Sequence, residues 1–120
     1  MNLNRRADRL AKFKASSGLQ EDEYHRFEAF DGKTLTWNDD IQRLFHSNRY
    51  GSSRGIIGCA LSHYSLWKHI ASTNGELHLV LEDDAEFVGG WIDKWNYEYY
   101  PSLPMDRFKY DIVTCEWFFL

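Results

Sequence analysis

The sequence predicts an α/β fold, a mostly parallel sheet flanked by helices, and three observations predict it. Leu77–Leu81 is a short, nearly continuous apolar run, the pattern of a strand buried on both faces of a parallel sheet. Gly55–Ser72 repeats its apolar residues at helical spacing. Strand-like and helical stretches alternate along the chain, which is how layered α/β packing is written in a sequence.

The elements follow in order. Met1–Leu3 is apolar apart from Asn2 and reads as the end of a strand. Asp8–Lys14 reads as a short amphipathic helix with Leu10 and Phe13 on one side, ended by Ser16, Ser17 and Gly18. Tyr24–Phe30 alternates in a strand manner, and Asp31-Gly32 is a strong turn signal. Asp39 and Asp40 can cap a short helix running through Phe45, and Ser47–Gly55 is a polar loop. In the long helix, Ile57, Ala60, Leu61, Tyr64, Trp67 and Ala71 form an apolar stripe. Gly58, Ser62, Ser65 and His69 form a polar one, and Asn74-Gly75 stops the helix. After the Leu77–Leu81 strand, Trp91–Tyr97 reads as helical and Asp111–Thr114 as a further buried strand.

The length of 120 residues fits one domain. At 43% hydrophobic and 17% aromatic, the chain is too rich in core-forming side chains to be disordered. Its formal net charge of −4 lacks the basic balance of a general nucleic-acid binder. Basic residues do cluster early, at Arg5, Arg6, Arg9, Lys12 and Lys14, and an acidic run, Glu21–Glu23, follows. Cys59 and Cys115 make no disulfide framework. They fit a reduced setting, cytoplasmic or peripheral to a membrane. No apolar leader and no run long enough to be a transmembrane segment is present.

In parallel sheets, ligands sit at the carboxyl ends of the strands. Two polar clusters fall there: Asn4-Arg5-Arg6 after the first strand and Glu82-Asp83-Asp84 after the central one. Three adjacent carboxylates repel unless a cation offsets them, and a hard divalent ion, Mn²⁺ or Mg²⁺, needs only one or two of them beside substrate phosphates. The structural alternative is a helix start or a solvated turn. The arginine fork suits phosphate, though a surface helix start would look the same. Cys59 and His63 share a helix face, but zinc needs two more ligands. Cys115 and His78 are without ligand spacing, so a packed thiol and a hydrogen-bonded imidazole are expected. The aromatic group Trp91, Trp95, Tyr97, Tyr99 and Tyr100 reads as core material before sugar-stacking surface.

Four stretches, Asn2–Arg9 (NLNRRADR), Phe27–Gly32 (FEAFDG), Gly58–Trp67 (GCALSHYSLW) and Val80–Phe87 (VLEDDAEF), occur in the order and spacing seen in glycosyltransferase family 25, which the sequence resembles. The resemblance implies a GT-A type fold and inverting transfer of a sugar, often galactose, from a UDP-sugar to a glycan or protein acceptor. It places Asp83 and Asp84 as metal ligands, with Asp83 also toward the donor diphosphate. Asn2, Arg5 and Arg6 fall near the nucleotide, and Ser62 and His63 line or support the donor site. It identifies no catalytic base. Asn4 departs from the pattern, standing where many relatives have Asp. Family members run much longer, so a missing C-terminal segment or a partner chain is expected beside the apolar end Trp117–Leu120. The alternatives are a non-catalytic nucleotide-sugar-binding fragment, an inactive remnant, and a Mg²⁺-dependent phosphohydrolase.

Overall fold

The structure, a computed structural model, describes residues 1–47, 53–73 and 77–103. The expected strand at Asp111–Thr114, the stop at Asn74-Gly75, Cys115 and the apolar end Trp117–Leu120 lie outside the described residues. The chain divides into two units, Met1–Glu86 and Phe87–Leu120.

Helices build the first unit. Helix α1 is Ala7–Ser17, longer at both ends than its apolar pattern predicts. Asp8 lies in its first turn and Lys14 in its last, both matched to the helix dipole. Gly18 closes it with φ of 73°, a left-handed conformation that glycine adopts without a Cβ penalty. Helix α2 is Asp39–Phe45. Its cap is Asn38, one residue before the predicted Asp pair, and the Asn38 Oδ1 accepts from the Ile41 N–H at 2.9 Å. Asp39 and Asp40 occupy the first turn instead, where a negative charge is also favourable. Helix α3 is Arg54–Ala71.

The sheet is the main correction to the sequence reading. Among the described residues there is no strand, only one isolated parallel bridge between Asn2 and Glu28. The Asn2 N–H donates to the Phe27 carbonyl at 3.0 Å, and the Ala29 N–H donates to the Asn2 carbonyl at 2.9 Å. A mostly parallel sheet flanked by helices, and with it the GT-A-like architecture, is therefore not what these residues form. The physical reason is that a strand exists only through the ladder it pairs with. The stretch 77–81, predicted as a strand buried on both faces, has no such ladder, and Leu77, Leu79 and Val80 are exposed. Within residues 24–30 only Glu28 is a bridge position, paired with Asn2, so the stretch is not a strand.

The core of this unit is small: Phe13 from α1, Ile41 from α2, and Ile57 and Leu66 from α3. Tyr24 meets the Phe13 ring edge-on, with centroids 5.8 Å apart. Helix α3 buries Ile57 of its apolar stripe but otherwise turns inward a face that the stripe does not mark. Ile57, Gly58, Ser62 and Leu66 are buried, whereas Tyr64 and Trp67 are exposed. Two glycines cause the rotation. A Cβ on Gly58 would lie 2.7 Å from the Gly32 nitrogen and 2.8 Å from the Phe30 carbonyl oxygen. A Cβ on Gly32 would collide with the Arg54 carbonyl. The Asp31-Gly32 turn, closed by Thr34 N–H to Asp31 carbonyl at 3.1 Å, thus packs backbone to backbone against α3. Ser62 fixes the contact: its hydroxyl donates to the Gly58 carbonyl at 2.6 Å and accepts from the Phe30 N–H at 2.8 Å. Close approach and a buried hydrogen bond outweigh the hydrophobic stripe here.

In the second unit the predicted helix at Trp91–Tyr97 appears as α4 (Trp91–Lys94), a π-helical stretch Trp95–Tyr99, and α5 (Tyr100–Ser102). Phe87 and Trp91 stack with centroids 4.8 Å apart, and Trp95 and Tyr100 at 6.5 Å. Tyr97 is 79% exposed, so this aromatic group is not simply core.

Candidate functional site

Residues 82–85 form a tight turn, with the Ala85 N–H donating to the Glu82 carbonyl at 3.1 Å and Asp83-Asp84 at its tip. The acidic triplet is thus a turn, set between α1 and α3. Each carboxylate has its own neighbour. Asp83, with a side chain only 10% exposed, receives the Asn2 Nδ2 at 2.6 Å and the Arg9 Nη2 at 2.7 Å. The same Arg9 nitrogen contacts the Asp84 carboxylate, whose side chain is 63% exposed. Glu82 Oε1 lies 3.2 Å from His63 Nε2, and the imidazole is packed on Trp67 at 5.9 Å.

Asn2 is the hub. It is 4% exposed, and its side chain is fully engaged. Its Nδ2 donates to the Arg6 carbonyl at 3.1 Å and to Asp83, and its Oδ1 accepts from Arg26 Nε at 3.1 Å. Arg26 reaches on to Asn4 Oδ1, and Asn4 donates to Glu28. A buried amide with all its partners met is rigid, so Asn2 fixes where the acidic turn sits.

Arg5 is exposed and Arg6 partly exposed, and both bind carboxylates. Arg5 pairs with Asp31. That hydrogen bond, helped by the Lys33 N–H, holds the Asp31 carboxyl below the usual range. Arg6 pairs with Asp8 at 2.7 Å and holds its carboxyl at about 2. Partial desolvation, then the Glu82 and Asp84 charges, push the Cys59 thiol up. Cys59 is an exposed cysteine, against the expectation of a packed one.

The structure therefore brings Asn2, His63, Asp83 and Asp84 to one turn. Ser62 lies behind it, holding the 30–32 segment, and Arg5 and Arg6 are engaged by the Asp31 and Asp8 carboxylates. Sequence reasoning left out Arg9, Arg26 and the Glu82–His63 pair as site members. Arg9 stands in the early basic cluster and in the Asn2–Arg9 motif, but nothing in the sequence sets it apart there as the partner of the acidic turn. Arg26 sits in a polar stretch with no motif, and no sequence signal singles it out.

Whether a divalent ion suits this turn can be judged from its donors. No group of three or more His, Cys, Asp or Glu side chains that could hold a metal occurs among the described residues. Two adjacent carboxylates do converge on one positive charge, the Arg9 guanidinium. Hard oxygen donors, one of them exposed, fit an ion that takes one or two carboxylates and completes its shell with phosphate and water.

The family described as Glycosyltransferase family 25 (LPS biosynthesis protein) matches residues 1–97. A protein of Acanthamoeba polyphaga mimivirus that carries a provisional glycosyltransferase name is 47% identical over 93 residues, covering 72% of this chain and 28% of its own length. Human procollagen galactosyltransferase 2 is 40% identical over 95 residues, covering 72% of this chain and 15% of its own. A glycosyltransferase 25 family member of Anopheles gambiae is 35% identical over 97 residues, covering 72% and 16%. The chain thus spans less than a third of the length of these relatives. No solved structure matches. No helix among the described residues is long and apolar enough to cross a membrane.

Proposed function

The chain belongs to glycosyltransferase family 25, and on that premise we propose that it forms the donor-binding part of an enzyme that transfers galactose from a UDP-sugar. The acceptor is a glycan or a protein side chain, and transfer is metal-dependent and inverting. The observation that carries this reading is the acidic turn itself. A nearly buried Asp83 is locked by Asn2 and Arg9, while an exposed Asp84 sits next to it. One carboxylate is committed to architecture and the other is available to a ligand.

Asp84 would be the main protein ligand of a Mn²⁺ or Mg²⁺ ion, with Asp83 beside it. When bound, such an ion stabilises the negative charge that grows on the departing diphosphate. The rest falls to the protein. Asn2 and Arg9 hold Asp83, so the backbone of the turn is in place before the donor arrives. Arg5 and Arg6 supply donor forks for the diphosphate oxygens. Arg6 is paired with an exposed Asp8, a partner that costs little to exchange for phosphate, whereas the Asp31 partner of Arg5 is only 18% exposed and holds it more firmly. His63, held by Glu82 and Trp67, presents an imidazole at the same turn for a hydroxyl of the nucleotide or sugar. Ser62 supports α3 from inside.

Calorimetric titration with UDP-galactose, with and without Mn²⁺, tests this reading on the chain and on Asp84→Ala. Saturable binding that needs Mn²⁺ and disappears in the variant is expected. Binding that ignores both Mn²⁺ and Asp84 would refute it. Phosphate release from the nucleotide sugar without any acceptor would favour a phosphohydrolase instead.

A further inference from the structure

Arg9 does something the donor-site reading does not require. One of its nitrogens, Nη2, contacts both Asp83 and Asp84, and the side chain is 27% exposed. A positive charge already stands between the two carboxylates that would receive a metal ion. We infer that Arg9 is a built-in counter-cation, which holds the acidic turn together without metal and must release Asp84 when a divalent ion binds. The inference rests on the reading of Asp84 as a metal ligand.

The two contacts are unequal, and that gives the exchange a direction. Asp83 is nearly buried and is also held by Asn2, so losing Arg9 there would leave a carboxylate short of partners at low exposure. Asp84 is largely exposed, and water can replace the guanidinium at little cost. Arg9 therefore stays on Asp83 and lets Asp84 go. It is a positioning residue for Asp83 and a competitor for Asp84. Without it, the two carboxylates would repel each other across the turn whenever no ion is present.

The test is Mn²⁺ affinity without any nucleotide, read from the free-ion electron paramagnetic resonance signal, in the full chain. Arg9→Gln removes the competitor and is expected to tighten Mn²⁺ by at least about tenfold, the weight of one charge-assisted hydrogen bond. Arg6→Gln removes the same charge nearby without touching the pair, and is expected to tighten it by no more than about threefold, because water and salt screen such a charge. Equal effects of the two variants would overturn the inference. So would weaker binding in Arg9→Gln. A second measurement needs no variant: on Mg²⁺ titration of the unaltered chain, the Arg9 Nε–H resonance should shift along the saturation curve, and an unmoved resonance sinks the idea. Asp84→Asn separates the two levels. If Mn²⁺ binds regardless of Asp84, the donor-site reading fails and the inference with it. If binding needs Asp84 but Arg9→Gln leaves it unchanged, the inference alone fails.

Discussion

Replacing Gly58 by alanine should destabilise the first unit, although alanine is the better helix former. The new Cβ would lie 2.7 Å from the Gly32 nitrogen and 2.8 Å from the Phe30 carbonyl oxygen. Ordinary van der Waals contact begins at 3.4 Å, so α3 must retreat by about 0.7 Å, and both obstacles are backbone. Overpacking of this kind costs about 2 kcal/mol. The same retreat stretches the 2.8 Å bond from the Phe30 N–H to Ser62, which adds about 1 kcal/mol. Helix propensity returns about 1 kcal/mol, leaving a net loss of about 2 kcal/mol. For a unit of this size that is a fall in Tm of roughly 8–16 °C. Thermal unfolding followed by circular dichroism measures it. Gly55→Ala is the control on the same helix, since no atom lies within 4 Å of its added Cβ. It should be neutral or stabilising by up to about 1 kcal/mol. If Gly58→Ala melts no lower than Gly55→Ala, the backbone contact does not hold α3 and the reasoning is wrong.

Two further outcomes follow from the same geometry. Asn2→Ala removes three side-chain hydrogen bonds from a site 4% exposed and should cost about 2–3 kcal/mol in urea unfolding, with Mn²⁺-dependent donor binding weakened because Asp83 loses its anchor; full stability in the variant would show that the hub is dispensable. Asp8 should titrate at about 2 in a pH series of carboxyl resonances and return toward 3.8 in Arg6→Gln. Its folded-state value lies below the ordinary one, so the pair's contribution is complete above pH ~4 and is lost as pH falls toward ~2. A midpoint indifferent to Arg6 would assign the shift to the helix start instead.

Local chemistry was legible in the sequence where a residue acts on its own neighbours. Gly18 ends α1, Asp31-Gly32 turns, and α2 stops at Phe45 as their residue types require. What the sequence misled about depends on distant partners. Leu77–Leu81 has the composition of a buried strand, but composition cannot supply the ladder that makes it one. The buried face of α3 was misjudged for a related reason. Period-3.6 reasoning counts apolar area and puts Gly58 and Ser62 on a separate polar stripe. Their lack of bulk and one hydroxyl are what let a backbone turn lie against the helix. The acidic turn was found by its charge density, yet the cation beside it was not, because Arg9 faces it from another element.

The motifs that identify the family are also the segments that hold one another in place. Asn2 bonds the 27–29 backbone, Phe30 bonds Ser62, Gly32 abuts α3 at Gly58, and Asn2 reaches Asp83. Each motif thus contributes a small, amide or carboxylate residue that contacts another motif. Such residues carry little apolar area, so hydrophobic patterning passes over them, whereas their order along the chain stands out when whole motifs are compared. The same circuit explains why the functional reading centres on Asp84. Asp83 closes the loop of contacts, and Asp84, one residue on, is held at the end of a rigid path with most of its carboxylate in solvent. A ligand at Asp84 meets a group positioned from three motifs at once, and for that reason substitutions at Gly58 or Asn2 should reach donor binding without touching the donor.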